Sequence, residues 1–451
     1  MSGADAMRRA RLWRGEAPLK VLGFDNWTGG AHLFERLVPA FSETGLDLAL
    51  LHLGSWGNDP GRPTEETLGG LRIRDIAYYD RAGYAQILDV ERPDAVLFMS
   101  TDTFAHRAFN RYCRLRGIPT VHVFHGLVQV QAVDGGTPYR VNALAQAKYA
   151  VSKLSKALTH VWPAYAGALR DTGAAATDWL RFGSDVFRGA LGRWTTVSAD
   201  DARTDRCCVY VGADVDYALG KYGFVAEDVI PVGNPDLARF GLTAERVGAG
   251  IARTHAQAAD VMYADTGLMF TGCVFTSAEE FVRHMLDTRD ALAAQGRKLV
   301  FKPHPDHRRS NVLGTLAEAG VDICGNDEFV PRLERCCACI VEPSTVAVIP
   351  ALLGMPVALA KYGSLRDQSF GPVMTSYPRA RELRDVRKLD ALVHDVDARP
   401  QREAAMAWIR ENAGPLPAED MPRRVAGVFA SLLGAPLPRA GRPNDEACLT
   451  G

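Results

Sequence analysis

The chain has 451 residues, more than one hydrophobic core ordinarily serves, so two domains are expected. Hydrophobic residues make up 47% and charged residues 23%, and 52 basic against 53 acidic side chains leave a net charge of -1, which removes any broad electrostatic basis for binding nucleic acid. No apolar run reaches the roughly 20 residues that cross a bilayer, residues 1–20 lack the apolar stretch of a secretion signal, and nine cysteines without framework spacing read as reduced thiols, so a cytoplasmic protein is expected.

In chain order, residues 20–26 read as a first strand, and Gly29-Gly30 leads into an amphipathic helix over 31–43. Strands are predicted at 47–54, 94–101 and 119–126, with a helix over 104–116. Continuous apolar runs such as Ala95-Val96-Leu97-Phe98-Met99 suit parallel strands covered on both faces. Residues 142–193 break this rhythm. They read as a helical excursion carrying Lys153, Lys156, Trp162 and Trp179, either packed on the first domain or facing an acceptor or membrane surface.

Strands resume at 207–212 and 228–233, and 237–257 reads as the interdomain region. A second series follows, with strands at 260–265, 298–304, 321–324, 338–342 and 356–360 and helices over 278–295 and 346–353. Helices over 384–396, 402–412 and 421–433 close the chain. The expected domains are 18–245 and 256–400, then C-terminal helices over 401–436 and a Pro- and Gly-rich tail over 437–451. Ligands of open parallel sheets bind at the carboxyl ends of the strands, so residues there are the candidates.

His304, in Lys302-Pro303-His304-Pro305, follows a strand directly, and the flanking prolines restrict its presentation. It suits phosphate binding or proton donation, or is a plain turn histidine. Glu342-Pro343-Ser344-Thr345 lies at another strand end before a helix. One hydroxyl there can cap while the other meets an anion. His125-Gly126 ends a strand of the first domain, where a neutral histidine suits a general base and Gly126 allows close backbone approach. Asp25, before Gly29 and Gly30, is a second candidate base or hydroxyl-binding group, with turn formation as the competing account. Asp102 and His122 rank below these.

The lone Cys336-x-x-Cys339 has no second ligand pair at metal-site spacing, and phosphate-loop, dinucleotide and hydrolase-elbow motifs are absent. With no evident carboxylate pair for Mg²⁺, metal-independent chemistry is expected and no cofactor is called for.

The ordered set His125-Gly126, Gly233-Asn234-Pro235, Tyr263-Ala264-Asp265-Thr266, Lys302-Pro303-His304-Pro305, Glu342-Pro343-Ser344-Thr345 and Leu353-Gly354-Met355-Pro356 resembles the GT-B transferases of bacterial surface-polymer synthesis. These include CDP-glycerol glycerophosphotransferases, polysialyltransferases and capsule Kdo transferases. The resemblance spans roughly residues 118–360 as scattered motifs. It implies an α/β GT-B fold of two doubly wound Rossmann-like domains facing a central cleft. It assigns donor-phosphate binding to His304, Ser344 and Thr345, and the base to His125. Glu342 stands where an aspartate is usual, and Thr345 where a serine is usual. The acidic base motif of the polysialyltransferases has no clear match, Asp25 being the nearest acidic residue.

The expected function is transfer of a glycosyl or polyol-phosphate group from a nucleotide-activated donor, CMP- or CDP-linked by resemblance, to a hydroxyl of a surface-glycan or lipid-linked acceptor. His125, Asp25 and His304 are the catalytic candidates. Lys302, His304, Glu342, Ser344 and Thr345 are expected at the donor phosphates or nucleotide, and Gly29, Gly30 and Gly126 against substrate. Peripheral contact with the inner membrane face is compatible with this role. The alternatives are a UDP-sugar 2-epimerase-like enzyme, which needs carboxylates converging in the cleft, and a non-catalytic nucleotide- or glycan-binding protein.

Overall fold

The computed structural model describes residues 18–26, 28–56, 61–80, 82–127, 154–190, 200–271 and 274–434. Strands β1 (Leu19–Asp25), β2 (Leu46–His52), β3 (Glu65–Leu68), β4 (Leu71–Asp75), β5 (Ala95–Phe98), β6 (Thr120–Val123), β7 (Arg206–Val209) and β8 (Val229–Pro231) form one sheet in the order β3-β4-β2-β1-β5-β6-β7-β8. Every neighbouring pair is parallel except β3 with β4.

A second, wholly parallel sheet contains β9 (Asp260–Ala264), β10 (Lys298–Lys302), β11 (Asp322–Ile323), β12 (Cys336–Val341), β13 (Val357–Ala360) and β14 (Ala380–Leu383), in the order β11-β10-β9-β12-β13-β14. The chain reverses its direction of winding at β1 and again at β9, so each sheet opens a crevice at those strand ends. Strands β5 and β12 are buried along their whole length, which explains their unbroken apolar sequences. Cys336, Cys337 and Cys339 belong to β12, where burial pushes the Cys337 thiol up to about 11.

The helix expected over 31–43 is two helices, Ala31–Glu35 and Val38–Glu43, with Pro39 in the first turn of the second. A proline in a helix interior loses a backbone hydrogen bond, whereas one in the first turn loses nothing, so the chain restarts there. The β3–β4 hairpin and β14 were not expected. Both are edge elements with polar, short sequences.

Of the expected excursion over 142–193, residues 142–153 (with Lys153) and 191–193 lie outside the described residues, as does the expected tail over 437–451. The remainder contains helices Trp162–Asp171 and Ala176–Ala190. It packs on helix Phe104–Leu115, where Phe104 meets Tyr165 at 4.8 Å and Phe182 at 5.3 Å between ring centroids.

The C-terminal helix Met421–Leu433 returns to the first sheet's unit, with Phe429 against Phe41 at 5.3 Å. Gly233 (φ +100°) lets this segment approach, since a Cβ there would fall 2.7 Å from the Pro415 carbonyl oxygen. One continuous apolar core therefore runs through both units.

Candidate active site between the two sheets

Past the end of β6, Phe124-His125-Gly126 turns toward the second unit. His125 Nδ1 lies 2.8 Å from the Met99 carbonyl oxygen. A carbonyl only accepts, so Nδ1 of this exposed ring donates, and in the neutral imidazole the lone pair lies on Nε2. A Cβ built on Gly126 would stand 3.2 Å from Thr345 Cγ2. The His-Gly turn of the first sheet thus touches the Ser-Thr turn of the second.

Ser344 caps the short turn Thr345–Ala347, its Oγ accepting from the Val346 backbone N–H at 3.2 Å. The Thr345 hydroxyl has no side-chain hydrogen bond among the described residues, so the two hydroxyls divide the tasks of cap and free donor.

At the end of β10, His304 Nδ1 accepts from the Asp306 N–H at 3.3 Å, which leaves Nε2 as the donor of a neutral ring. Burial lowers the pKa of His304, with Asp265 and Asp306 partly opposing it. Beside it, Asp265 at the end of β9 accepts from Gly267 N (3.0 Å), His304 N (2.9 Å) and His307 Nε2 (2.9 Å). Burial resists its ionisation, but these donors hold its carboxyl below the usual range.

Glu342 is fully buried. It accepts from the Tyr263 hydroxyl (2.7 Å), Thr266 N (3.0 Å) and Thr266 Oγ1 (2.8 Å). Burial first and the Asp265 charge second push its carboxyl up to about 8, so it is largely protonated at neutral pH. Its oxygens are committed to β9 and to the loop that follows it. Lys302 is also buried, its Nζ 2.9 Å from the Pro303 carbonyl and between the rings of Phe240 (5.5 Å) and Phe329 (5.7 Å).

Asp25, at the end of β1, is buried with Oδ1 3.7 Å from His106 Nε2. Gly29 is exposed and Gly30 buried in the turn that follows. Asp102 accepts from Lys221 Nζ (2.8 Å) and the Tyr222 hydroxyl (2.9 Å), and burial drives His122 down to about 3. Both serve the internal structure.

The structure therefore brings Gly126 directly against Thr345, with His125 and Ser344 as their chain neighbours, and links His304 to Glu342 through the loop Asp265-Thr266-Gly267. Asp25 lies two strands from β6, with β5 between them. Lys302 and Glu342 sit beneath the surface. Asp265, Tyr263, Thr266 and His307 were not among the expected site residues, although the first three form a strand-end motif. An aspartate directly after an apolar strand was the available signal. A cavity of about 330 Å³ opens elsewhere, beside helix Phe104–Leu115, where Arg107 and Arg111 are paired with Asp201 and Asp178. It is an ion-pair network set apart from the strand ends.

No family model matches the chain. No curated protein matches it either. Among solved structures, CalG4, the calicheamicin glycosyltransferase, aligns at 15% identity over 93% of this chain and 100% of its own, with a TM-score of 0.50. A variant of the wall teichoic acid polymerase TagF aligns at 10% identity over 96% and 98%, also at 0.50. A UDP-GlcNAc 2-epimerase from Neisseria meningitidis, bound to UDP-GlcNAc, aligns at 12% identity over 92% and 100%, at 0.48. At these identities the likeness to CalG4 and to TagF concerns the fold alone. The chain has the two-domain, Rossmann-like GT-B fold.

Proposed function

We propose that the protein is a glycosyltransferase, moving a glycosyl or polyol-phosphate group from a nucleotide-activated donor to a hydroxyl of a surface-glycan or lipid-linked acceptor. The observation that supports this reading is the approach of Gly126, next to His125, to Thr345 of the other sheet's strand-end turn. His125 Nε2 takes the proton of the acceptor hydroxyl as its oxygen attacks the transferred group. The bond from that group to the nucleotide breaks. The departing phosphate gains charge, which Thr345, Ser344 and His304 meet with hydrogen bonds. An arriving phosphate raises the pKa of His304, so donor binding is accompanied by proton uptake.

No metal ion is needed in this scheme, because the acidic groups nearest the donor side, the Asp265 carboxylate and the Glu342 carboxyl, are already held by protein donors. Full activity in excess chelator is expected; abolition by chelator that is restored by Mg²⁺ contradicts it. A cytidine donor is favoured by motif resemblance alone. The epimerase alternative needs several carboxylates in the cleft, and Asp102 and Glu342 are turned to internal partners. Incubation with CMP-, CDP- and UDP-linked donors and glycan acceptors tests the reading: acceptor-dependent nucleotide release supports it, and interconversion of a UDP-sugar without acceptor supports the epimerase.

Contact with the inner membrane face belongs to the same reading. Helix Ala176–Ala190 exposes Leu180 (75%), Phe187 (65%) and Trp179 (40%) beside Arg181 and Arg188, while its Asp178 and Asp185 pair with Arg111 and Arg107. Sedimentation with vesicles containing phosphatidylglycerol checks this, and absence of the protein from the pellet removes it.

A further inference from the structure

We propose that Asp265 is the positioning residue of the donor-phosphate site, its carboxylate fixing where His304 presents its imidazole without itself touching ligand. The inference rests on the reading of His304 as a phosphate-binding group. Its basis is a chain of contacts that ends in a rigid anchor. His307 is wholly buried, with Phe270, Phe281 and Phe301 ring centroids at 4.8, 5.2 and 6.0 Å. Its Nε2 donates to Asp265 Oδ2 at 2.9 Å, and the same oxygen accepts the His304 backbone N–H at 2.9 Å. The other oxygen holds Gly267 N at 3.0 Å. Gly267 (φ +79°) lies under the His304 ring, where a Cβ would come within 2.8 Å of Nδ1. With Pro303 and Pro305 on either side, the His304 backbone is set by one carboxylate and its ring by one glycine.

An asparagine at 265 cannot reproduce this. Its amide nitrogen would face either the Gly267 N–H or the His304 N–H, donor against donor. An aspartate that served only the fold would lower stability and leave the response of the site to His304 unchanged.

The test uses the full-length protein and binding of CMP, CDP, UMP and UDP by calorimetry. His304→Ala and Asp265→Asn are each expected to weaken the bound nucleotide about ten-fold or more, the scale of one charged hydrogen bond. The double variant is expected to be no weaker than His304→Ala alone, because Asp265 acts only through that ring. In turnover, Asp265→Asn is expected to raise KM for donor while leaving KM for acceptor unchanged. Gly267→Ala moves the ring without altering the carboxylate and should reproduce the defect; it decides the matter if Asp265→Asn does not fold. Weakening by His304→Ala with wild-type binding in Asp265→Asn or Gly267→Ala overturns the clamp alone, as do additive losses in the double variant. Unchanged binding in His304→Ala overturns the donor-site reading and the clamp with it.

Discussion

Gly126 and Thr345 meet across the cleft, the first at the end of a strand of one sheet and the second at the end of a strand of the other, with room for 3.2 Å between Thr345 Cγ2 and a Cβ that Gly126 lacks. The exposed His125 is the residue directly before Gly126, and Ser344 the residue directly before Thr345. Everything proposed for the chemistry depends on this approach.

A branched side chain at Gly126 has to displace Thr345 or part the two turns. Gly126→Val is therefore expected to cut turnover at least ten-fold while the melting temperature changes little, since the position is half-buried and faces the cleft. Gly126→Ala is expected to be milder. Steady-state kinetics beside thermal unfolding checks both, and normal turnover in Gly126→Val shows that the two turns do not work as one site.

Removing the open imidazole nitrogen tests the base. His125→Ala is expected to lower kcat by roughly 10²–10⁴-fold, the range for one general base, while nucleotide affinity stays near wild type. A large loss of nucleotide affinity instead would move His125 from the acceptor side to the donor side.

Glu342 gives a pH signature of its own. Its folded pKa stands at about 8, against 4.5 for an ordinary glutamate, so the folded chain keeps a proton that the unfolded chain releases between those values. That contribution to stability is present at low pH and is lost as pH rises through this window. Buried His122 and His284, lowered to about 3 and about 4, oppose folding in the other direction, as pH falls below 6.5. Glu342→Gln is expected to flatten the alkaline side of the stability profile and leave the acid side in place. Denaturant unfolding from about pH 5 to about pH 8.5 reads this, and an unchanged alkaline slope contradicts it.

The second sheet's unit depends on Arg379, which is fully buried and donates to Val396 O at 3.1 Å, to Gly354 O and to Asp397. Arg379→Ala leaves Asp397 and two carbonyls without this partner. A loss of about 3–5 kcal/mol is expected, as for other broken buried pairs, measurable by urea unfolding. A change below about 1 kcal/mol would mean that water replaces the guanidinium.

Much of this was legible in the sequence because burial writes itself into composition. Strands β5 and β12 are buried along both faces, and the ends of β6, β10 and β12 fix where His125, His304 and Ser344 fall. The polar edge elements were not legible, since β3 is largely exposed and β4 carries Arg72, Arg74 and Asp75 beside only two apolar residues. Side-chain direction was not legible either. Glu342 and Lys302 occupy strand ends as expected, but Tyr263 and Thr266 draw the first inward and two aromatic rings enclose the second. Asp265 carried no site role in the sequence because two of its partners, His304 and His307, come from the segment after β10, which only the fold brings to it.

The most direct measurement of the central claim is a thermal-shift panel of CMP, CDP, UMP, UDP and GDP on the wild type and His304→Ala. A nucleotide at one hundred times its dissociation constant should stabilise the native state by roughly 2.7 kcal/mol. The account predicts a raised melting temperature with one nucleotide class, lost in His304→Ala. No shift with any nucleotide, or an equal shift in the variant, would contradict a donor site built on His304, Ser344 and Thr345.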